Sequence, residues 1–480
     1  MPDSPIALIV LAAGEGTRMK SRTLPKVLHA FAGRTLLGHV LAAAEPLGAQ
    51  QTVVVVGHQR EAVIEHLHEV APSAVPVTQE QQNGTGHAVR LALDAVVEAA
   101  DGTVVVVPAD TPLLTPGVLA ELLAEHRTSG AAATLLTSVL ADPTGYGRVI
   151  RDADGEVAKV VEHKDAAPGE LAVAEIATSV YAFDHQLLRA ALGKLTNENA
   201  QGEEYLPDVI GILASAGHRI GAVVAQEQTT AGVNDRVQLG AAHRAYNNRL
   251  LEAHMRAGVT VVDPLTTWVD ADVVIEPDAV LLPATDLHGA THVGAEAQIG
   301  PQVTLRDTTV GARACVSRAV AVDAAIGADA TVGPFAYLRP GTVLADGVHI
   351  GTYVELKNTE VGAGTKIPHL TYAGDGTIGE RSNIGAATVF VNYDGVEKHR
   401  TVIGSHVRTG ADNMFVAPVE VGDGAYTAAG SVITEDVPPG ALGIARAEQR
   451  NVAGWVARNR HGTPAAEAAE RALEDDKGTS

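Results

Sequence analysis

A glycine-bearing loop, Leu11-Ala12-Ala13-Gly14-Glu15-Gly16-Thr17-Arg18-Met19, leaves the first apolar run of the chain, and Leu24-Pro25-Lys26 follows shortly after. A loop of this kind at the end of a strand turns backbone N–H groups outward, where they can cradle phosphate oxygens. The spacing is not the dinucleotide fingerprint, which needs a third glycine, nor the Walker loop, which ends in Gly-Lys-Ser/Thr. Glycines alone suit a tight strand-to-helix turn as well. Arg18 and Lys26 favour the phosphate reading, because two cations beside the loop suit a triphosphate. A second polar set gathers late in the chain: Arg339, Glu355, Lys357, His369, Tyr372, Asn383 and Asn392-Tyr393-Asp394-Gly395. Each member alone could simply solvate a surface; the cluster is the signal, and imidazole is a residue type that titrates near working pH.

Two different scaffolds must position these groups. In the first half, apolar runs (Ile6 to Leu11, Thr52 to Val56, Thr103 to Val107, Ala131 to Val139, Ile220 to Ala225) alternate with amphipathic segments (Thr35 to Ala44, Glu61 to Glu69, Ala88 to Ala99, Pro116 to His126). That alternation predicts an α/β domain with a mostly parallel sheet. From Val293 to Ile433 an Ile or Val followed by Gly recurs, as at Ile299-Gly300, Ile326-Gly327, Val332-Gly333, Ile350-Gly351, Ile378-Gly379 and Ile384-Gly385. Many glycine spacings are multiples of six, which fits a parallel β-helix of flat-sided coils, about eighteen residues each and usually left-handed. In this reading the aliphatic residue points inward and the glycine or small residue takes the tight corner. The gap from Gly385 to Gly404 is 19 residues and holds the Asn-Tyr-Asp-Gly turn, predicting a loop thrown out from the prism. The domain boundaries expected are 1–236 for the sheet domain, 237–257 for a connecting helix, 258–455 for the β-helix and 456–480 for a flexible tail.

Composition bounds the partners. At 480 residues the length allows roughly three domains. A formal charge of -22 argues against nucleic-acid binding and requires that any anionic substrate be held by local cations or N–H groups. Cys315 is the only cysteine, so neither an intrachain disulfide nor a cysteine metal cluster is available. It is expected to be a packed small residue of a coil. The first ten residues read as a strand rather than a signal peptide, and no apolar run reaches the ~20 residues of a membrane span. The expectation is a cytoplasmic protein without membrane insertion.

Leu-Ala-Ala-Gly-x-Gly-Thr-Arg-Met with Pro-Lys nearby resembles the signature of sugar-nucleotide pyrophosphorylases. Further matches follow in order: Gln79, Gln82-Asn83-Gly84-Thr85-Gly86-His87-Ala88, Asp110, Gly145-Tyr146-Gly147-Arg148, Val161-Glu162-His163-Lys164 and Asn199-Ala200-Gln201-Gly202-Glu203. Together with the hexad region, the chain from about residue 6 to 455 resembles the GlmU family, bifunctional N-acetylglucosamine-1-phosphate uridylyltransferases and glucosamine-1-phosphate N-acetyltransferases. The fold this implies is a Rossmann-like nucleotidyltransferase domain, a connecting helix and a left-handed parallel β-helix.

The resemblance implies two reactions that together make UDP-N-acetylglucosamine for peptidoglycan and other envelope polysaccharides. Acetyl-CoA acetylates glucosamine-1-phosphate, and UTP then uridylylates N-acetylglucosamine-1-phosphate with release of pyrophosphate. For uridylyl transfer it implies Mg²⁺ on Asp110 and Asn234, nucleotide contacts from Leu11, Ala12, Ala13, Gly14, Lys26, Gln79, Gly84 and Thr85, sugar contacts from Gly147 and Glu162, and charge neutralisation by Arg18 and Lys26. For acetyl transfer it implies His369 as general base, with Glu355 a weaker candidate for orienting it. Arg339, Lys357, Tyr372 and Asn383 would hold the sugar phosphate, and Ala386, Asn392, Tyr393, Ala411, Ala429 and Arg446 the acetyl-CoA. A homotrimer is implied as well. Two departures stand out: Ala177-Thr178-Ser179 replaces a family Asn and Gly, and Ala411 a family Ser. Losing one polar contact at Ala177 would cost about 0.5–1.5 kcal/mol. The alternative is a monofunctional pyrophosphorylase whose β-helix is structural or regulatory.

Overall fold

The computed structural model describes residues 5–96 and 102–477. The chain divides into two compact units, Met1–Asp329 and Ala330–Ser480.

In the first unit the apolar runs form β1 (Ile6–Ala12), β2 (Gln51–Val56), β3 (Val75–Thr78), β4 (Thr103–Pro108), β5 (Ala133–Val139), β6 (Arg148–Arg151), β7 (Val157–Val161), β8 (Glu175–Asp184) and β9 (Ile220–Ala225). Between them lie α1 (Leu36–Ala44), α2 (Arg60–Val70), α3 (Thr85–Ala95), α4 (Pro116–Ser129), α5 (His185–Leu192) and α6 (Asp208–Ser215). The helix expected over Ala88 to Ala99 is α3 as far as Ala95, and residues 97–99 lie outside the described residues. The strand order is β9-β5-β8-β4-β1-β2-β3, with β6 and β7 as a side pair off β8. β1 is parallel to β2 and β4, while β8 runs antiparallel to β4 and β5. Alternation along β1 explains the layering. Ile6, Leu8 and Val10 pack with Leu37, Val40, Leu67 and Leu122 on one face. Ala7 and Ile9 pack with Val89, Leu93, Leu188 and Val209 on the other. Each fully buried aliphatic side chain contributes about 1.5–3 kcal/mol.

The expected connecting helix is α7 (Arg236–Arg256), whose first turn is capped by the Asp235 carboxylate accepting the Gln238 N–H. Its Ala242, Leu239 and Tyr246 pack with Phe31, Leu36 and Leu113. The Arg244 guanidinium lies 3.7 Å from the centre of the Trp268 ring. Coils follow as short parallel strands, with Thr260 paired to Val280, Val280 to Gln298 and Gln298 to Cys315.

The second unit continues the left-handed β-helix pattern, with His349 paired to Lys366 and Glu355 to Tyr372. Leu356, Ile367, Ala373, Ile384, Phe390 and Ile403 fill its interior. Gly376 pairs with Thr401, twenty-five positions on, whereas Thr401 pairs with Val419, eighteen on. The extra residues are the loop expected between Gly385 and Gly404. Buried threonines that the repeat did not predict close the inner corners: Thr365 donates its hydroxyl to the Gly379 carbonyl at 2.6 Å and Thr388 to Gly385 at 2.7 Å. Helices Trp455–Asn459 and Pro464–Lys477 occupy the segment expected as a tail, and residues 478–480 lie outside the described residues. No described helix is long and apolar enough to cross a membrane.

Two expectations about the coils need correction. The left-handed corners are taken mostly by residues with side chains, including Glu296, Arg313, Tyr353, Leu370, Arg381 and His406. Gly300 and Gly333 do take positive angles, φ 113° and 106°, but most hexad glycines stand instead where successive coils touch: a Cβ on Gly362 would lie 2.6 Å from the Glu380 nitrogen, and one on Gly294 2.7 Å from the Ala312 nitrogen. Glycine is required there by close approach rather than by its backbone angles. Cys315 is exposed, not packed, because the alternation of its short strand gives the inward place to Val316.

Candidate active sites

Chain order in the sheet domain leaves β1 toward β2 and β3 on one side and returns to β4 on the other. In an open α/β sheet the crevice at such a reversal, beyond the carboxyl ends of the strands, is where ligands bind. A cleft of about 380 Å³ opens there, lined by Leu11, Ala12, Ala13 and Gly14 after β1, by Pro108 and Asp110 after β4, and by Lys26, Gln79, Gly84, Thr85 and Asn234. Tyr146, Gln82 and Glu203, matched in the sequence without a role, also line it, as do Ala177, Thr178 and Ser179.

The loop after β1 turns at Gly16, which has φ 62°, into a short helical turn, Thr17–Met19, anchored by buried Met19. A Cβ on Gly16 would overlap Lys26 Cβ, so the glycine lets the Lys26 stem pass. The Lys26 ammonium pairs with the Asp110 carboxylate and donates to Asn234 Oδ1 at 2.7 Å. Two hard oxygen donors thus already share one positive charge at the mouth of the phosphate loop. Mg²⁺ prefers such a pair, with the remaining positions left to phosphates and water. The residues present therefore fit that ion, although no group of three or more His, Cys, Asp or Glu able to hold a metal occurs among the described residues.

The loop carrying Gly84 and Thr85 is pinned against the segment before α6. The Glu204 carbonyl accepts the Gly86 N–H at 2.8 Å, and Thr85 Oγ1 accepts the Leu206 N–H at 3.0 Å. Gln82 donates to the Ala13 carbonyl at 2.9 Å, tying this loop to the phosphate loop. Buried Arg148 donates to the Tyr146 carbonyl and so holds the Tyr146–Gly147 turn. Ser179 has φ 63°, a left-handed conformation at the bulge of β8 between Ala177 and Tyr181.

Three of the expected residues do not line this cleft. Arg18 is exposed on the turn that follows the loop. Gly147 and Glu162 are neighbours, since a Cβ added to Gly147 would lie 3.4 Å from Glu162 Oε1, and Glu162 lines a neighbouring hollow with Asp165, Tyr205 and Asp208. Burial, reinforced by Asp208 and Asp165, pushes the Glu162 carboxyl above its usual range, and burial with Asp165 raises Asp208. Tyr205 is pushed up to about 12, chiefly by burial and then by the charge of Asp165.

The second unit gathers its polar set on stacked strands. Tyr337, Glu355 and Tyr372 stand one above another in register, and Lys357 stands beside Gly374. Arg339 donates to Glu355 Oε1 at 2.9 Å. Sequence reasoning missed the hub. Asp375, 8% exposed, accepts from Asn358 Nδ2 at 2.8 Å, from Asn392 Nδ2 at 2.5 Å and from Lys357 Nζ at 3.3 Å. Burial alone would raise its carboxyl, but the bonds from Asn358, Asn392 and Lys357 outweigh it and hold Asp375 below the usual range. A carboxylate between Gly374 and Gly376, where the fold asks for small inward residues, was the available signal. Lys398, in the extruded loop, was missed too. The nearby Lys357 amine pushes Lys398 below the ordinary lysine range, while Lys357, beside Lys398 and paired with Asp375, is held above it. Two amines and the Arg339 guanidinium that share so much positive charge suit a phosphate dianion.

The notion that Glu355 orients His369 does not hold. Glu355 spends its carboxylate on Arg339, and among the described residues no hydrogen bond joins it to His369. The reason is topological. His369 ends the strand Lys366–His369 in one sheet of the prism, whereas Glu355 begins Glu355–Val361 in another. The His369 ring is exposed, and its carbonyl accepts the Ala387 N–H at 3.2 Å. Asn383 bridges Lys366 and Arg408 through backbone pairing. Tyr393 is exposed and donates its hydroxyl to the Gly395 carbonyl of its own loop at 2.7 Å. Ala386, Ala411 and Ala429 occupy one corner of successive coils: Asp412 N–H reaches the Ala386 carbonyl at 2.7 Å and Gly430 N–H the Ala411 carbonyl at 2.9 Å. Arg446 lies beside the same corner, its Cδ 3.9 Å from a Cβ placed on Gly430. Small side chains there leave the outer wall open to a long, thin ligand.

Comparison with known proteins accords with this division. The MobA-like NTP transferase domain matches residues 8–167. The chain is 59% identical over 468 residues, 97% of each chain, to the bifunctional protein GlmU of Streptomyces coelicolor. It is 59% identical over 476 residues to that of Streptomyces avermitilis, covering 99% of this chain and 98% of the relative. It is also 59% identical over 473 residues to that of Thermobifida fusca, covering 98% and 97%.

Proposed function

The chain belongs to the GlmU family, and on that premise we propose how its two sites divide the work. It is an enzyme of UDP-N-acetylglucosamine synthesis that transfers acetyl from acetyl-CoA to glucosamine-1-phosphate and uridylyl from UTP to N-acetylglucosamine-1-phosphate. Full-length identity to proteins named bifunctional sets aside the single-activity alternative.

Uridylyl transfer belongs to the cleft between β1 and β4. The sugar-1-phosphate attacks the α-phosphorus of UTP in line and expels pyrophosphate. Its nucleophile is already anionic, so alignment and charge neutralisation matter more than a base. Backbone N–H groups of Ala13 and Gly14 face the phosphates, Lys26 supplies a fixed cation, and Gln79 with Gly84 and Thr85 meets the base. Arg18 lies at the loop's outer end, where it adds positive charge over the phosphates, and Gly147 with Glu162 would meet the sugar. Asp110 and Asn234 would hold Mg²⁺, which when bound supplies neutralisation of the phosphate charge.

Acetyl transfer belongs to the second unit. Arg339, Lys357 and Lys398 hold the phosphate of glucosamine-1-phosphate, and Tyr372 and Asn383 orient the sugar. His369 takes the proton that the 2-amino group loses as it attacks the thioester carbonyl. Asn392 and Tyr393 position the amine and the developing oxyanion, while acetyl-CoA runs along the Ala386, Ala411 and Ala429 corner toward Arg446. Exposed Phe335 and Tyr353, stacked with centroids 5.5 Å apart, and half-exposed Tyr337 and Met414 give this unit an apolar surface. Such a surface supports a homotrimer in which it would be covered about a threefold axis. In functional terms the chain then divides at 1–236, 237–257, 258–455 and 456–480. UTP and acetyl-CoA as substrates support a cytoplasmic location.

The observation that carries this reading is the pair of convergent charge sets in different units, Lys26 with Asp110 and Asn234, and Arg339 with Lys357 and Lys398. Free CoA thiol and pyrophosphate measured on the same samples test it. His369→Ala should abolish thiol release and leave pyrophosphate formation intact; Asp110→Ala should do the reverse and lose its response to Mg²⁺. Loss of both activities in either folded variant would sink the assignment to separate sites.

A further inference from the structure

Gln79 is 5% exposed, and its amide nitrogen lies 3.0 Å from the Gly84 carbonyl and 3.1 Å from His87 Nδ1. A carbonyl can only accept, so the group facing Gly84 is the NH₂ end of the amide. The second proton of that NH₂ goes to His87 Nδ1, which must therefore be the unprotonated acceptor, with the ring proton on Nε2. Both amide protons are thereby used inside the protein. Oε1 is left as the atom Gln79 can offer to a ligand in the cleft.

The two partners are held by different means. Gly84 has φ 103°, a Cβ there would overlap the Glu204 carbonyl, and its own carbonyl also accepts the Ala88 N–H at 3.2 Å. His87 is the third residue of α3, so the helix sets the direction of its ring. Backbone and helix together impose one orientation on an amide that would otherwise be nearly symmetric in shape.

An acceptor at this position suits a base edge that offers an N–H between two carbonyls, as uracil does at N3. Cytosine carries a lone pair at N3 and would set acceptor against acceptor. We propose that His87 is a positioning residue for base selection: its Nδ1 locks the Gln79 amide in the orientation that accepts uracil and refuses cytosine. The inference rests on the reading that Gln79 meets the base.

The test is the ratio of kcat/KM for UTP over CTP in pyrophosphate release, measured for the wild type, His87→Leu, His87→Asn and Gln79→Leu. Asn can place Oδ1 near the position of Nδ1 and keep an acceptor, whereas Leu cannot. Gly84 still opposes rotation of the amide, so His87→Leu should lower the ratio by about fivefold, the worth of one neutral hydrogen bond, with His87→Asn within about twofold of wild type. If His87→Leu leaves the ratio unchanged while Gln79→Leu collapses it, the role of His87 is overturned and base reading by Gln79 stands. If Gln79→Leu also leaves it unchanged, the reading beneath falls too. Equal losses in the Leu and Asn variants, with melting temperatures lowered alike, would assign His87 to packing alone and overturn the inference.

Discussion

Replacing Asp375 by Asn removes the charge at the hub of the second site while keeping its shape. The wild-type carboxylate receives three donors: Asn358 Nδ2 at 2.8 Å, Asn392 Nδ2 at 2.5 Å and Lys357 Nζ at 3.3 Å. An amide in its place keeps one oxygen and turns an NH₂ toward a donor. At least one charge-assisted bond is lost and one buried donor is left unpaired, together about 2–3 kcal/mol. Lys357 then has no fixed counter-ion, and Asn392 no anchor. Both belong to the proposed acetyl-transfer machinery, so kcat/KM for glucosamine-1-phosphate should fall roughly 30- to 150-fold, at 1.4 kcal/mol per tenfold. Thiol release at varied sugar phosphate is the assay, and pyrophosphate formation on the same preparation is the internal control. The loss should fall on both KM and kcat, because Lys357 holds the substrate and Asn392 the reacting end. A KM and kcat within about threefold of wild type, in a protein of unchanged melting temperature, would refute the view that Asp375 organises these groups.

Glu162→Gln should separate stability from activity. The folded protein holds this carboxyl above its unfolded value of 4.5, by burial and then by Asp208 and Asp165. The fold therefore favours the protonated form, and wild-type stability from this group is present at low pH and lost as pH rises through the raised pKa. The variant should melt higher than wild type at pH 7 to 8, the gap closing toward pH 4, while uridylyl transfer declines; a gap that does not change with pH would contradict the shift. Gly16→Ala places a methyl group against Lys26 Cβ at a backbone angle of φ 62°. A left-handed alanine costs about 1–2 kcal/mol and Lys26 must move, so uridylyl transfer should fall at least about tenfold with thiol release preserved. Unaltered pyrophosphate kinetics would show that the Lys26 stem has room to spare.

Much of the molecule is legible in its sequence. Continuous apolar runs and amphipathic segments marked five of the nine sheet strands and four of the helices between them, and the recurring Ile-Gly or Val-Gly step marked the coils, because both patterns follow from which side of the backbone must be dry. Strands β3, β6, β7 and β8 went unread, since Val75–Thr78 is short and holds a proline, Arg148–Arg151 and Val157–Val161 are short and charged, and Glu175–Asp184 is broken by a bulge. The residues of the first cleft were found through contiguous motifs, since a loop after a strand and the residue after the next strand are close in sequence to the elements that place them.

Local order along the chain was enough to say that a glycine-bearing loop leaves β1, that a prism follows, and that cationic and imidazole groups interrupt its rhythm. Only the three-dimensional arrangement decided that Asp375, rather than Glu355, is the anion around which Lys357, Asn358 and Asn392 are arranged. It also decided that Lys398 lies near Lys357, that Glu162 lines a hollow of its own, and that most hexad glycines serve contact between coils. The reason is physical. A coil returns to the same face after seventeen, eighteen or twenty-five residues according to its inserted loops, so which side chains meet depends on register summed over whole turns, and no short window of sequence contains that sum.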